Sequence, residues 1–312
     1  MDHADNDSAA TPASRLDATD HPAAGVARVV PLAPGLWFVA TPIGAARDIT
    51  LRALDILLSA DVLVAEDTRT LRHLMEIHGL KIGERPLIAY HDHNGAEARP
   101  RILRALAEGR SVAYCSEAGT PVVADPGYQL ARAAIEAGHP VSAAPGPSAA
   151  IMALSVSGQP SDRFMFVGFP PAQSGARARW CAEIGSIPAT LILYESPKRI
   201  HRLLGELCEH WGDRRPATLC RELTKRFEEV RRGTLGELRD GIGDAGVKGE
   251  IVLVVGRPLA VAPDAADVDA ALQEALGRLR VKDAATEVAE ALGLPRRDVY
   301  QRALALKEGA EE

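Results

Sequence analysis

From Leu36 onward the chain alternates short apolar runs with stretches of helical period, and three of the first four helical stretches end directly on a glycine. Few architectures accept that order, because strands joined by helices build a parallel sheet with helices on its faces. The expected strands are Leu36 to Ala40, Val62 to Ala65, Leu87 to Tyr90, Val112 to Cys115 and Val141 to Ala144. Helices are expected over Leu51 to Leu58, Arg69 to His78, Ala96 to Glu108 and Tyr128 to Ala137. Gly79, Gly109 and Gly138 then stand where a C-terminal cap belongs.

The 312 residues are long enough for about two domains and an appendage. Pro-rich punctuation at Gln159-Pro160 and Phe169-Pro170-Pro171 marks a junction, and a second α/β unit follows. Its strands are expected over Phe164 to Gly168, Thr190 to Tyr194, Ala217 to Arg221 and Ile251 to Val255, with helices over Ala176 to Ile184 and Pro197 to Trp211. After Arg257-Pro258 an Ala- and Asp-rich stretch reads as a linker as far as Val268. The segment Lys282 to Ala303 then has the order of a helix-turn-helix. Val288, Ala291 and Leu292 form an apolar face, Gly293 closes the first helix, Leu294 to Asp298 turn the chain, and Val299 and Tyr300 lie on the second helix. A plain helical hairpin fits that order equally. The expected division is a disordered tail over 1–34, domains over 35–158 and 159–258, and a linker and helical tail over 259–312.

Composition excludes several classes. No run approaches the roughly 20 apolar residues of a membrane span. Cys115, Cys181, Cys208 and Cys220 lack CxxC spacing and sit in or beside apolar stretches, which disfavours a zinc site or a disulfide framework and suits a reducing cytoplasm. The formal charge of -6 argues mildly against a protein that grips nucleic acid through its overall charge. Half of that charge comes from the first 34 residues, where five Asp face Arg15 and Arg28, so a local basic patch remains open.

Residues able to do chemistry gather at the C-terminal ends of the expected strands, where an open α/β sheet places its ligands. The first such loop, Thr41 to Thr50, is not GxGxxG, and the chain has no Walker A loop, HExxH helix or GxSxG elbow. Glu66-Asp67-Thr68-Arg69 offers adjacent carboxylates and an arginine, as a general base with its orienting partner, an anion clamp, or simply a helix cap. His91-Asp92-His93-Asn94 follows the third strand. If the strand continues, both histidines share one side, and substrate binding or a polar network is favoured over a metal because no third ligand shows a suitable spacing. The loops Ser116 to Pro121, Asp125-Pro126-Gly127 and Pro145 to Ala149 are rich in Gly, Pro and hydroxyls. They suit turns that let a ligand approach the backbone closely.

Together these loops resemble the family of ribosomal RNA small-subunit methyltransferase I, within the wider tetrapyrrole-methylase-like fold. The matching segments are TPIGAARDITLRAL (Thr41 to Leu54), AEDTR (Ala65 to Arg69), HDHN (His91 to Asn94), SEAGTPVVADPG (Ser116 to Gly127) and PGPSA (Pro145 to Ala149). They continue through PSDRFMFVGFPP (Pro160 to Pro171), YESPKR (Tyr194 to Arg199), RELTK (Arg221 to Lys225) and KGEIVLVVG (Lys248 to Gly256). One departure is Glu117, where the family more often has Asp. The resemblance implies two α/β domains with a cofactor cleft between them, a small C-terminal helical tail and a homodimer. The implied reaction is S-adenosylmethionine-dependent 2′-O-methylation of a cytidine in the decoding region of small-subunit ribosomal RNA.

The resemblance further implies cofactor contacts at Pro42, Ser116, Gly119, Thr120, Pro121, Val123, Ser148 and Ala149, and from the second domain at Tyr194, Arg221 and Glu250. Glu66, Asp67 and His91 are the candidate bases, with Arg69 orienting a carboxylate or holding RNA phosphate. RNA contact is expected from basic groups beside the motifs, namely Lys198, Arg199, Lys225, Arg226, Arg296 and Arg297, whose alternative is a solvated helix face. Neither DNA nor a membrane is an expected partner. Two rivals stay open: a methylase of small tetrapyrroles, and a non-catalytic RNA-binding assembly factor.

Overall fold

The computed structural model describes residues 27–243, 246–259 and 265–308, so the expected tail over residues 1–26 lies outside it. Contact density divides the chain into one compact unit reaching Arg257 and a second from Pro258 onward.

The first unit begins with β1 (Gly35–Val39), α1 (Leu51–Ser59), β2 (Val62–Ala65), α2 (Thr68–Ile77), β3 (Leu87–Ala89), α3 (Gly95–Ala107), β4 (Ser111–Cys115), α4 (Gly127–Glu136) and β5 (Val141–Ala144). The strands are all parallel, in the order β3-β2-β4-β1-β5. Helices cover both faces. Leu63, Ala65, Ala113 and Cys115 pack under α1 and α2, while Val62, Val64, Val112 and Tyr114 pack under α3 and α4. A strand buried on both sides reads as an unbroken apolar run, as in β2 and β4. Gly79, Gly109 and Gly138 all hold positive φ behind their helices. Residues 27–34, expected as part of the tail, are instead placed against this unit. The Arg28 N–H donates to Asp55 Oδ1 (2.6 Å), the Val30 N–H to Ser59 Oγ (2.8 Å), and Leu32 packs on the α1 core.

The chain continues through α5 (Ala149–Ser157), β6 (Phe164–Gly168), α6 (Ser174–Gly185), β7 (Thr190–Glu195), α7 (Ile200–Trp211), β8 (Pro216–Arg221), β9 (Glu229–Thr234), α8 (Leu235–Ile242) and β10 (Ile251–Val255). The second sheet runs β6-β7-β10-β8-β9. Only β6 and β7 pair in parallel there. Leu191, Leu193, Leu219 and Leu253 face α6 to α8, and the opposite face, with Ile192, Cys220, Val252 and Val254, is covered by α5. Helix α7 starts at Ile200 rather than at Pro197, because Ser196 to Arg199 form a turn in which the Ser196 carbonyl accepts from the N–H groups of Arg199 and Ile200 (both 3.1 Å). β10 is the middle strand, and its Leu253 is fully buried between Leu193 and Leu219. Leu253→Ala should therefore cost about 2–5 kcal/mol, read as a lower urea midpoint with an unchanged slope.

The second unit contains α9 (Ala265–Leu276), α10 (Val281–Leu292) and α11 (Arg296–Glu308). Part of the expected linker is thus helical: Val268, Leu272 and Ala275 recur at helical spacing and are buried against Ala284, Ala285, Val288, Ala289, Val299 and Ala303. The buried stripe of α10 leaves Ala291 exposed, contrary to its expected place on the apolar face. Gly293 caps α10 at φ 64°, and Arg302 grips Asp269 through two hydrogen bonds of 2.6 Å.

Candidate active site

The loops that follow β1 and β4 are stitched together by Thr41 and Gly119, which exchange two backbone hydrogen bonds of 3.0 Å. Opposite them, the turn after β8 reaches across: Thr224 Oγ1 accepts from the Ala45 N–H at 3.0 Å. Between these walls lies a cleft of about 510 Å³, within the usual range for a small-molecule site. Ile43, Ala149, Cys220, Leu223 and Val252 form its apolar lining.

Its charge is one-sided. Glu66, Glu117, Asp125, Glu195 and Glu250 line it, and among the described residues no Lys, Arg or His does. Glu66 stands just past β2, where its backbone N–H donates to the Cys115 carbonyl (3.1 Å) and its Oε2 accepts from the Glu117 N–H (3.1 Å). Burial raises its carboxyl above the usual range, and the charges of Asp125, Glu117 and Asp92 add to the rise. Asp125 is held through Oδ1 by the N–H groups of Gly127 (2.6 Å) and Val122 (3.0 Å) and by the Tyr114 hydroxyl (3.2 Å). Its Oδ2 is buried without a partner among the described residues. Burial, chiefly, raises Asp125 as well, against the pull of those hydrogen bonds. The Val122 to Asp125 loop is strained, with Val122 at φ 75° and Ala124 at φ 59°. Such backbone in non-glycine residues gathers at functional sites.

Eight of the expected cofactor residues line the cleft: Ser116, Gly119, Thr120, Val123, Ser148, Ala149, Tyr194 and Glu250. Pro42, Pro121 and Arg221 do not. Arg221 is committed to the Lys248 carbonyl (2.6 Å) and to Glu229 Oε2 (3.3 Å). The Ser116 and Thr120 hydroxyls donate to loop carbonyls, those of Gly119 (3.0 Å) and Pro147 (2.8 Å), and so shape the loops. Tyr194 is fixed at both ends, since its hydroxyl accepts from the Ala150 N–H (3.1 Å) and its ring meets Phe166 edge-on at 4.8 Å.

Of the four expected catalytic residues only Glu66 reaches the cleft. Asp67 is the N-cap of α2. It accepts from the Arg69 N–H and the Arg69 guanidinium, both at 2.7 Å, and these bonds hold it down to about 2. Arg69 is thereby spent on Asp67. The strand before His91 ends at Ala89, and His91 to Asn94 form a turn in which Asn94 Oδ1 accepts from the His91 N–H (2.8 Å). Alternation of faces therefore does not apply, although the two histidine rings still meet at 6.0 Å.

The expected RNA-binding residues divide. Lys198 and Arg226 are exposed, as are Arg296 and Arg297 at the start of α11. Lys225 is paired with Glu222 and Glu250, both at 3.1 Å, and Arg199 with Glu195 at 3.0 Å. Asp125, Glu195 and Phe169 escaped sequence reasoning as site residues. The signals present were the Asp-Pro-Gly turn, the YES motif and the Phe-Pro-Pro run, each of which local turn chemistry explains by itself.

The donor set suits a small organic cation. Glu195 and Glu250 are balanced by Arg199 and Lys225, but Glu66 and Asp125 are half-buried with no ion pair among the described residues, which favours a positive ligand. The small residues at Gly119 and Ala149 leave the backbone open to it. A cationic sulfonium cofactor such as S-adenosylmethionine fits that requirement, and Glu66 and Asp125 would be the groups facing its charge.

Comparison with known proteins agrees. Residues 35–239 match the profile of the Tetrapyrrole (Corrin/Porphyrin) Methylases, and residues 262–307 match that of the RsmI C-terminal HTH domain. A ribosomal RNA small subunit methyltransferase I of Mesorhizobium japonicum is 46% identical, covering 90% of this chain and 95% of the relative. Its counterpart in Escherichia coli O157:H7 is 41% identical over 86% and 94%. Among solved structures, the methyltransferase CobJ aligns with a TM-score of 0.56 at 18% identity, covering 72% of this chain and 94% of that one. A Thermus thermophilus uroporphyrin-III C-methyl transferase, solved with S-adenyl homocysteine, aligns with a TM-score of 0.51 at 19% identity over 71% and 97%. These likenesses establish the fold, and the closer sequence matches go further: the chain belongs to the ribosomal RNA small subunit methyltransferase I family of tetrapyrrole-methylase-type proteins.

Proposed function

We propose that this protein methylates the ribose 2′-hydroxyl of a cytidine in the decoding region of small-subunit ribosomal RNA, with S-adenosylmethionine as donor. The observation that carries the reading is the cleft lined, among the described residues, by five carboxylates and no cation, set in a chain whose relatives bear the name of that methyltransferase. The cofactor supplies an electrophilic methyl group on a sulfonium. The protein's part is to align the acceptor oxygen with it and to take the hydroxyl proton. Glu66 is the assigned base, its carboxyl raised by burial and by the charge of Asp125. Asp67 and Arg69 cap and hold α2, and His91 anchors the turn next to them. Lys198 and Arg226, and Arg296 and Arg297 on the helical tail, are the assigned phosphate contacts.

A cytoplasmic homodimer working on the RNA or the assembled subunit completes the reading. Among the described residues no helix is long and apolar enough to cross a membrane. The deciding experiment is tritium transfer from labelled cofactor to small subunits, free ribosomal RNA and a tetrapyrrole, followed by mapping of the labelled nucleotide. Label on a cytidine ribose supports the reading. Label on the tetrapyrrole would replace it, and absence of cofactor binding by calorimetry would point to an assembly factor.

A further inference from the structure

Phe169 is a large ring at the lip of the cleft, 57% exposed. It is nevertheless fixed. Its edge contact with Tyr194 (5.7 Å) continues the Phe166–Tyr194 pair. The backbone behind it is pinned by two arginines: Arg199 Nη2 donates to the Pro170 carbonyl (2.6 Å), and Arg177 Nη1 donates to those of Pro171 and Ala172 (2.8 Å each). Each arginine is in turn paired with a carboxylate, Arg199 with Glu195 and the buried Arg177 with Glu206. An apolar ring held open to water in a set orientation is preorganised for a flat partner.

The charge of the cleft says which partner. Among the described residues five carboxylates line the cleft and no cation does, and Arg199 and Lys225 beside it are already held by Glu195 and Glu250. The walls therefore disfavour a phosphate and favour entry of an acceptor nucleotide by its ribose and base, with its phosphates outside. A nucleotide drawn out of its strand loses the stacking it had there, and aromatic rings commonly replace it. The adenosine end of the cofactor has a better place in the buried apolar lining at Ile43, Leu223 and Val252.

We propose that Phe169, backed by Tyr194, is the stacking platform for the base of the nucleotide whose ribose is methylated. This rests on the reading of the protein as an RNA ribose methyltransferase. The test uses the full chain and small subunits from cells lacking the protein, with KM for subunits and Kd for S-adenosylhomocysteine as separate readouts. Phe169→Ala should raise KM by about 5- to 150-fold, the range that a lost base–aromatic stack of 1–3 kcal/mol gives, with the S-adenosylhomocysteine Kd within about two-fold. Phe169→Trp should restore KM, and Phe169→Leu, apolar but without a π face, should not. A parallel rise in the S-adenosylhomocysteine Kd would assign the ring to the cofactor and overturn the proposal, as would full function with leucine or an unchanged KM with alanine. If the wild-type protein itself labels no ribose, the functional reading fails with it, and that is seen before any variant is compared.

Discussion

Glu66→Gln should slow single-turnover methylation by about 10²–10⁴-fold, the usual worth of a general base, and Asp125→Asn should slow it less, each with S-adenosylhomocysteine affinity nearly unchanged. Glu66 carries the larger expectation because it lines the cleft and its burial favours the proton-bound form. Asp125 contributes charge beside it through a carboxylate whose second oxygen has no partner among the described residues. The pH profile has a definite sign. A base raised by burial becomes active only above the ordinary carboxylate range, so the acid limb of the rate should lie higher than for an exposed Glu. Stability runs the opposite way. The folded state binds these two protons more tightly than the unfolded chain, so folding loses stability as pH rises from the unfolded carboxyl value through the raised one. Glu66→Gln should then melt higher than wild type at pH 8, with the gap closing as pH falls toward 4. Normal transfer by both variants at saturating cofactor and RNA would remove both carboxylates as the base.

Gly44→Val is the second large effect. A Cβ at Gly44 would lie 2.5 Å from Lys225 Cγ, 2.6 Å from Thr224 Oγ1 and 3.1 Å from the Leu223 carbonyl. The lysine is held by Glu222 and Glu250, and the carbonyl belongs to a turn whose Glu222 and Thr224 already hold φ of 50° and 65°. The loop after β1 must therefore move away, breaking the Ala45 to Thr224 hydrogen bond and displacing Ile43 from the cleft wall. Overpacking of this kind costs about 1–3 kcal/mol. S-adenosylhomocysteine affinity should fall at least about ten-fold, as expected when 1.4 kcal/mol or more is lost from the bound geometry. Gly175→Ala in α6, where a Cβ meets nothing within 4 Å, is the control and should leave both stability and affinity intact. Equal affinity in the Gly44 and Gly175 variants would mean that the two loops do not set the cleft.

The contrast between these residues explains what could be read in advance. The parallel strands were legible because burial on both faces leaves unbroken apolar runs, and their helices because each has one apolar stripe. β9 was not, since EVRRGT lies at a sheet edge with two adjacent arginines and reads as a basic cluster. Helix α5 was missed for the opposite reason: it is apolar all round and has no periodic stripe. At the site, the loops of Ser116 to Pro121 and Ser148 to Ala149 announced themselves by small residues next to strand ends. Whether a carboxylate there caps a helix or faces a cleft depends on where the backbone turns afterwards. Asp67 and Glu66 are adjacent and were indistinguishable by type, yet one is held at about 2 by its own helix and arginine while the other is raised by burial. Contacts such as Gly44 with Lys225 join residues far apart in sequence, and no local pattern carries them.

The unbalanced carboxylate lining bears on turnover as well as recognition. Methyl transfer turns a sulfonium into a neutral thioether, so the same walls that draw the donor in lose one unit of attraction for what remains after the reaction. The cleft thus works as an electrostatic ratchet, biased toward loading before the chemistry and toward emptying after it. The expected result is a steeper salt dependence of affinity for S-adenosylmethionine than for S-adenosylhomocysteine, and equal slopes would count against it.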